Sequence, residues 1–167
     1  KNLEACIESI NKFHSDSELC IITGDLTNNG DRQSYLDFSK ILQNLKIPYY
    51  PLIGNHDHRG IFSEVFPEVP KDKYGFLQQS ITTPLGKLIL LDTVENEKDW
   101  GSFCYNRSIW LQEQLELAGG ESVYLFMHHP PFNIGIPALD RININKVHFQ
   151  VIRNGGMSFI SVPNKYN

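Results

Sequence analysis

The run Tyr49-Tyr50-Pro51-Leu52-Ile53-Gly54-Asn55-His56-Asp57-His58 decides how this chain is read. Its first half is apolar and aromatic and follows Pro48, which predicts a buried strand. Its second half places a glycine, an amide, imidazoles and a carboxylate at the carboxyl end of that strand. Two other stretches share this grammar. Upstream, Leu19-Cys20-Ile21-Ile22-Thr23 runs into Gly24-Asp25; downstream, Val123-Tyr124-Leu125-Phe126-Met127 runs into His128-His129-Pro130-Pro131. In open α/β sheets, ligands collect outside the carboxyl ends of strands. The three ends can therefore converge on one site.

Each motif alone has an ordinary reading. A carboxylate at a strand end caps helices or makes turns, and Asn and Asp favour turns generally. The double histidine is harder to explain that way. Two prolines after it make a stiff, non-helical loop without main-chain donors, which holds the imidazoles at the mouth of a strand. Asp, Asn and His together suit iron, manganese, zinc or cobalt better than calcium or magnesium. A carboxylate can bridge two such cations, and a cation pair can clamp a phosphate ester.

Outward from these motifs, the chain reads as one α/β domain. Residues 2–14 predict an amphipathic helix with Leu3, Cys6, Ile7, Ile10 and Phe13 on its apolar face. Asp31 predicts the N-cap of a second helix, through about Asn44, that turns Leu36, Phe38, Ile41, Leu42 and Leu45 inward. A short helix is expected around Ile61–Phe66. Tyr74–Thr82 and Lys87–Asp92, joined by Thr83-Pro84-Leu85-Gly86, predict an antiparallel pair, and Ser108–Leu117 predicts a helix ended by Gly119-Gly120. Asn154-Gly155-Gly156 between two apolar runs predicts a terminal hairpin. His58 and Arg59 read as solvated loop residues. Asp140 and Arg141 either shape a pocket or pair with each other.

The 167 residues are 41% hydrophobic and 20% charged, ordinary for a globular domain with a sizeable core. A net charge of −4 disfavours nonspecific tracking of nucleic acid. No apolar run approaches the roughly 20 residues of a membrane span. The three cysteines, Cys6, Cys20 and Cys104, read as buried free thiols in a reducing compartment, so a cytoplasmic location is expected.

Taken in order, Gly24-Asp25, Gly54-Asn55-His56-Asp57 and His128-His129-Pro130-Pro131 resemble the calcineurin-like metallophosphoesterases. The stretch from Met127 to Asn143, with Gly24–Gly30 and the run Gly54–Arg59, resembles their class III cyclic nucleotide phosphodiesterase and glycerophosphodiesterase branch. The resemblance implies a four-layer α-β-β-α sandwich with mixed sheets and two divalent transition metal ions (Fe, Mn, Zn or Co). It implies hydrolysis of a small phosphodiester by hydroxide generated at the metals. A nuclease of the same fold and a non-catalytic interaction module are the alternative readings.

Residue by residue, the resemblance implies that Asp25 bridges the metals, that Asn55 and His128 bind the second metal, and that His148 binds the first. His56 would polarise the phosphate or protonate the leaving oxygen. Asp57 joins His56 as a catalytic candidate, orienting it or capping the next helix. Asn55, His56 and His129 are the substrate-binding candidates, with His129 alternatively bracing its loop. Asn28 stands where the family often has an acidic residue, and is expected to make hydrogen bonds behind the metals. The family's first block, Asp-x-His, has no match in the 167 residues, and Val147-His148 is the only trace of its last block, Gly-His-x-His. The single domain, residues 1–167, is thus expected to lack its first strand and an internal segment near 146–147. The expected partner is a small-molecule phosphodiester, with neither nucleic acid nor membrane. An oligomer of identical chains stays open.

Overall fold

The computed structural model describes residues 2–133, 135–140, 144–153 and 156–161; side chains are described as far as Ile144, those of 138 and 139 excepted. In chain order the elements are α1 (Asn2–Phe13), β1 (Cys20–Thr23), α2 (Arg32–Leu42), β2 (Tyr49–Leu52), α3 (Arg59–Val65), β3 (Gln79–Thr83) and β4 (Gly86–Leu91). They continue with β5 (Gly101–Phe103), α4 (Tyr105–Leu117), β6 (Val123–Met127), the single turn α5 (Pro137–Asp140), β7 (Ile144–Arg153) and β8 (Gly156–Ser161).

Pairing is mixed, as expected. Strands β1 and β2 run parallel, with Thr23 opposite Leu52. Strand β4 pairs antiparallel with β3 and parallel with β6, placing Leu91 opposite Met127. Strand β5 pairs parallel with β7, which forms an antiparallel ladder with β8. The parallel pairs matter for function. They bring the carboxyl ends of β1 and β2, and of β4 and β6, to common edges, where the motif loops begin.

Two apolar clusters support these edges. One joins Ile7, Tyr35, Phe38, Leu42 and Phe62 from α1, α2 and α3, and Phe66 just after α3, to Leu26 and Ile53 in the loops after β1 and β2. The other packs Trp110 and Leu111 of α4 onto Ile89, Leu91 and Phe103. Leu90, on the opposite face of β4, is also fully buried, so β4 is covered on both sides in the manner of an interior strand. No helix among the described residues is long and apolar enough to cross a membrane.

The helix faces depart from the expected ones. In α1 only Leu3, Ile7 and Ile10 turn inward, while Phe13 is 65% exposed and Cys6 is exposed rather than buried. All five positions lie on one helical stripe, but neighbouring elements cover only the side of it that carries Leu3, Ile7 and Ile10. In α2, Tyr35 is fully buried and Leu36 is 40% exposed. The Asp31 cap is present, its carboxylate accepting from Ser34 N at 2.9 Å. Helix α4 starts at Tyr105, three residues earlier than expected, and β5 is an element the sequence reading lacked. The hairpin β7–β8 forms, although its turn residues 154–155 lie outside the described residues.

Candidate metal centre

The chain leaves β1 through two consecutive left-handed residues, Gly24 with φ +97° and Asp25 with φ +52°. Asp adopts that region more readily than most side chains, though still at a cost. The double reversal turns the Asp25 carboxylate back over the strand ends. A Cβ on Gly24 would lie 2.5 Å from His128 Nδ1, and one on Gly54 would overlap Asp25 Oδ1 and meet His128 Cε1 at 2.8 Å. Both glycines are needed because three loops approach one another there.

Asp25, Asn55 and His128 come together. His128 Nε2 lies 3.3 Å from Asp25 Oδ1 and 3.1 Å from Asn55 Oδ1. His128 Nδ1 lies 2.8 Å from the Thr23 carbonyl oxygen. A carbonyl can only accept, so Nδ1 carries a proton, and in the neutral ring Nε2 presents a lone pair. Three acceptors then face one another with no proton between them, an arrangement that calls for a cation. Their separation fits one: donors sharing an ion through bonds of about 2.1 Å stand roughly 3.0–3.4 Å apart. The set of carboxylate, amide and imidazole suits a divalent ion of borderline softness. Among the described residues no cluster of three His, Cys, Asp or Glu side chains forms; the third donor here is an amide.

His56 stands at the rim of this trio. Its main-chain N–H donates to Asp25 Oδ1 at 3.1 Å, and its ring Nδ1 lies 3.0 Å from the Asn28 carbonyl oxygen. The same argument assigns the proton to Nδ1 and leaves Nε2 for a ligand. The Asn28 contact is main-chain, which explains why an amide serves at this position. The Asn28 side chain turns instead to Asn29 Oδ1 at 3.1 Å.

Asp57, expected to be catalytic beside His56, turns away from the trio. Its carboxylate is buried and accepts from Gly54 N at 2.8 Å, Leu26 N at 3.0 Å, Thr27 N at 3.2 Å and Tyr35 Oη at 3.0 Å. It clamps the β1 and β2 loops together from behind. Burial pushes its pKa up, partly offset by these hydrogen bonds. Nor does it cap α3. His58 does so, Nδ1 accepting from Ile61 N at 3.1 Å, and is thus more than a solvated loop residue.

His129 is also corrected. Its side chain is fully buried rather than facing substrate, with Nδ1 2.7 Å from Thr93 Oγ1. It meets the His128 ring edge-on at 4.9 Å between centroids, so it braces the loop. Burial first, then the neighbouring His128, lowers its pKa to about 4. Arg59 was read as solvated and is instead paired with the fully buried Asp92, Nε to Oδ2 at 2.6 Å. Asp92 escaped the sequence reading, although it follows the apolar run Leu88–Leu91 just as Gly24-Asp25 follows β1. Tyr35 and Thr93 left no such signal. The His148 side chain, the expected ligand of the first metal, lies outside the described residues; its main chain, in β7, pairs with Ser161 of β8.

The "Probable cyclic nucleotide phosphodiesterase" of Rhodopseudomonas palustris is 33% identical over 147 residues, covering 86% of this chain and 54% of the relative. The "Probable glycerophosphodiester phosphodiesterase" of Arcobacter nitrofigilis is 34% identical over 145 residues, covering 86% and 53%. The chain spans about half the length of these relatives. The family model described as calcineurin-like phosphoesterase matches residues 1–155, a span that includes all three strand-end loops. The chain whose Asp25, Asn55 and His128 meet at one pocket belongs to the calcineurin-like phosphoesterases.

Proposed function

We propose that this chain carries the metal site of a phosphodiesterase acting on a small phosphodiester, a cyclic nucleotide or a glycerophosphodiester. One observation supports this above the others: Asp25 Oδ1 and Asn55 Oδ1, from two separate loops, lie 3.3 and 3.1 Å from His128 Nε2 of a third. Calcineurin-like phosphoesterases are metal-dependent. The names of the relatives, a cyclic nucleotide phosphodiesterase and a glycerophosphodiester phosphodiesterase, support the substrate class.

In this reading Asp25, Asn55, His128 and His148 would hold two divalent ions (Fe, Mn, Zn or Co), Asp25 serving both, Asn55 and His128 the second and His148 the first. When bound, the ions supply Lewis acidity and a nucleophile at neutral pH. The remaining work falls to the chain. Asp25 and Asn55 hold the charged centre at the loop tips. His56, its Nδ1–H anchored on Asn28, presents Nε2 to the phosphate; with the ring protonated at both nitrogens, the Nε2 proton passes to the leaving oxygen and leaves the neutral imidazole. Asp57 and Tyr35 keep the two loops in register behind it.

The test is a hydrolysis screen of the protein loaded with Mn²⁺ against cyclic AMP, glycerophosphocholine and bis-nitrophenyl phosphate. Turnover of at least one diester is expected. Hydrolysis of monoesters alone would defeat the substrate class, and absence of both turnover and metal uptake would favour an interaction module.

A further inference from the structure

We propose that Arg59 is a positioning residue for this pocket: its paired contact with Asp92 sets the spacing between the Asn55 loop and the His128 loop. For its effect on turnover the inference rests on the phosphodiesterase reading; for the geometry of the pocket it does not.

Asn55 follows β2 and His128 follows β6, strands that belong to different sheets. Arg59 stands four residues after Asn55, at the start of α3. Its guanidinium grips Asp92 with both arms, Nε to Oδ2 at 2.6 Å and Nη2 to Oδ1 at 2.9 Å. It also donates to the Val94 carbonyl at 2.9 Å and to Asn96 Oδ1 at 3.0 Å. Asp92 cannot yield, because it is fully buried and further held by Leu77 N at 3.1 Å and Val94 N at 3.0 Å. The neighbouring Thr93 holds His129 at 2.7 Å, and His129 buttresses His128, whose Nε2 returns to Asn55 Oδ1 at 3.1 Å. The contacts close a ring from the Asn55 loop through Arg59, Asp92, Thr93, His129 and His128 back to Asn55. A two-armed, planar pair fixes orientation as well as distance. A lysine supplies only a point charge. Phe76 lies 5.4 Å beneath the Arg59 guanidinium and 4.2 Å from that of the buried Arg107, which confines the arm further.

Removing Arg59 alone strands a buried carboxylate and can unfold the protein, so the decisive variant is R59M combined with D92L, which removes both charges together. R59K is made beside it. Three measurements are taken: ¹⁵N resonances of the His128 and His129 imidazoles in metal-free protein, Mn²⁺ affinity by calorimetry, and kcat and KM on bis-nitrophenyl phosphate. For both variants, folded by circular dichroism, displaced imidazole resonances are expected, with Mn²⁺ affinity weakened about 10- to 100-fold, the usual effect of losing a partner behind a metal ligand. The rate loss is expected in kcat. Wild-type imidazole resonances and Mn²⁺ affinity in the folded double variant would overturn the proposal, as would full recovery in R59K. If the wild-type protein hydrolyses no diester, the phosphodiesterase reading fails alone, since the resonance arm needs neither metal nor substrate.

Discussion

His128 Nδ1 rests 2.8 Å from the main-chain oxygen of Thr23, 105 residues earlier in the chain. This contact fixes which ring nitrogen faces Asp25 and Asn55, and so makes the pocket a set of acceptors. Adding Zn²⁺ to metal-free protein should therefore move the His128 Nε2 resonance while Nδ1–H stays bonded to Thr23. A zinc-induced change centred on Nδ1 would contradict the assignment.

Asp25→Asn removes the only formal negative charge in the trio of donors. The position is partly exposed and Asn tolerates the same left-handed backbone, so metal-free stability should change by no more than about 0.5 kcal/mol. Diesterase activity should fall at least about 100-fold, equivalent to about 2.7 kcal/mol of barrier, with weaker metal binding by calorimetry. Wild-type turnover in this variant would remove Asp25 from its role.

Gly54→Ala drives a methyl group into Asp25 Oδ1 and to 2.5 Å from the Asp25 main-chain nitrogen. Overpacking of this kind costs about 1–3 kcal/mol. Chemical denaturation should register that loss and calorimetry should show impaired metal binding. A variant as stable and as active as the parent would mean the loops do not approach so closely.

Asp57→Asn replaces an oxygen that accepts main-chain N–H groups by a donor facing them. Leaving buried donors unpaired costs about 1–3 kcal/mol, and the loops should separate. Tyr35→Phe also strips the partner of His58 N, 2.8 Å from the hydroxyl, and should cost about 1–2 kcal/mol. Both are measured by urea unfolding, and the larger loss is expected for Asp57→Asn; the reverse order would argue against Asp57 as the main clamp.

His129 contributes a pH dependence to the stability of the metal-free protein. Its folded pKa is about 4 against an ordinary 6.5. Between those values the unfolded chain binds more protons than the folded one. The group's contribution is therefore complete above about pH 6.5 and is lost as pH falls toward 4, a swing of about 3 kcal/mol. Urea midpoints should drop across that interval in the parent and less steeply in His129→Gln. Parallel profiles for the two proteins would show that His129 titrates normally.

The elements and the three strand-end motifs were legible because their signals are local. Apolar runs of four or five residues closing on Gly-Asp, Gly-Asn-His-Asp and His-His-Pro-Pro need no knowledge of distant chain, and Asp31 announces its helix within one turn. The faces of α1 and α2 were less legible. Cys6, Phe13 and Leu36 are apolar enough to read as core, and only the packing of neighbouring elements left them outside. Asp57 and His129 carry side chains as suited to chemistry as those of Asn55 and His128. Their burial against Tyr35 and Thr93, 22 and 36 residues away, turned them into supports.

The sequence by itself determined which side chains stand at the ends of the strands and which donor atoms they offer, because residue type and period are written in the chain. Only the tertiary structure decided which of them face one another and which face inward. Asp92 and Arg59 show why: a buried charge is settled by the partner that packing brings to it, 33 residues away along the chain.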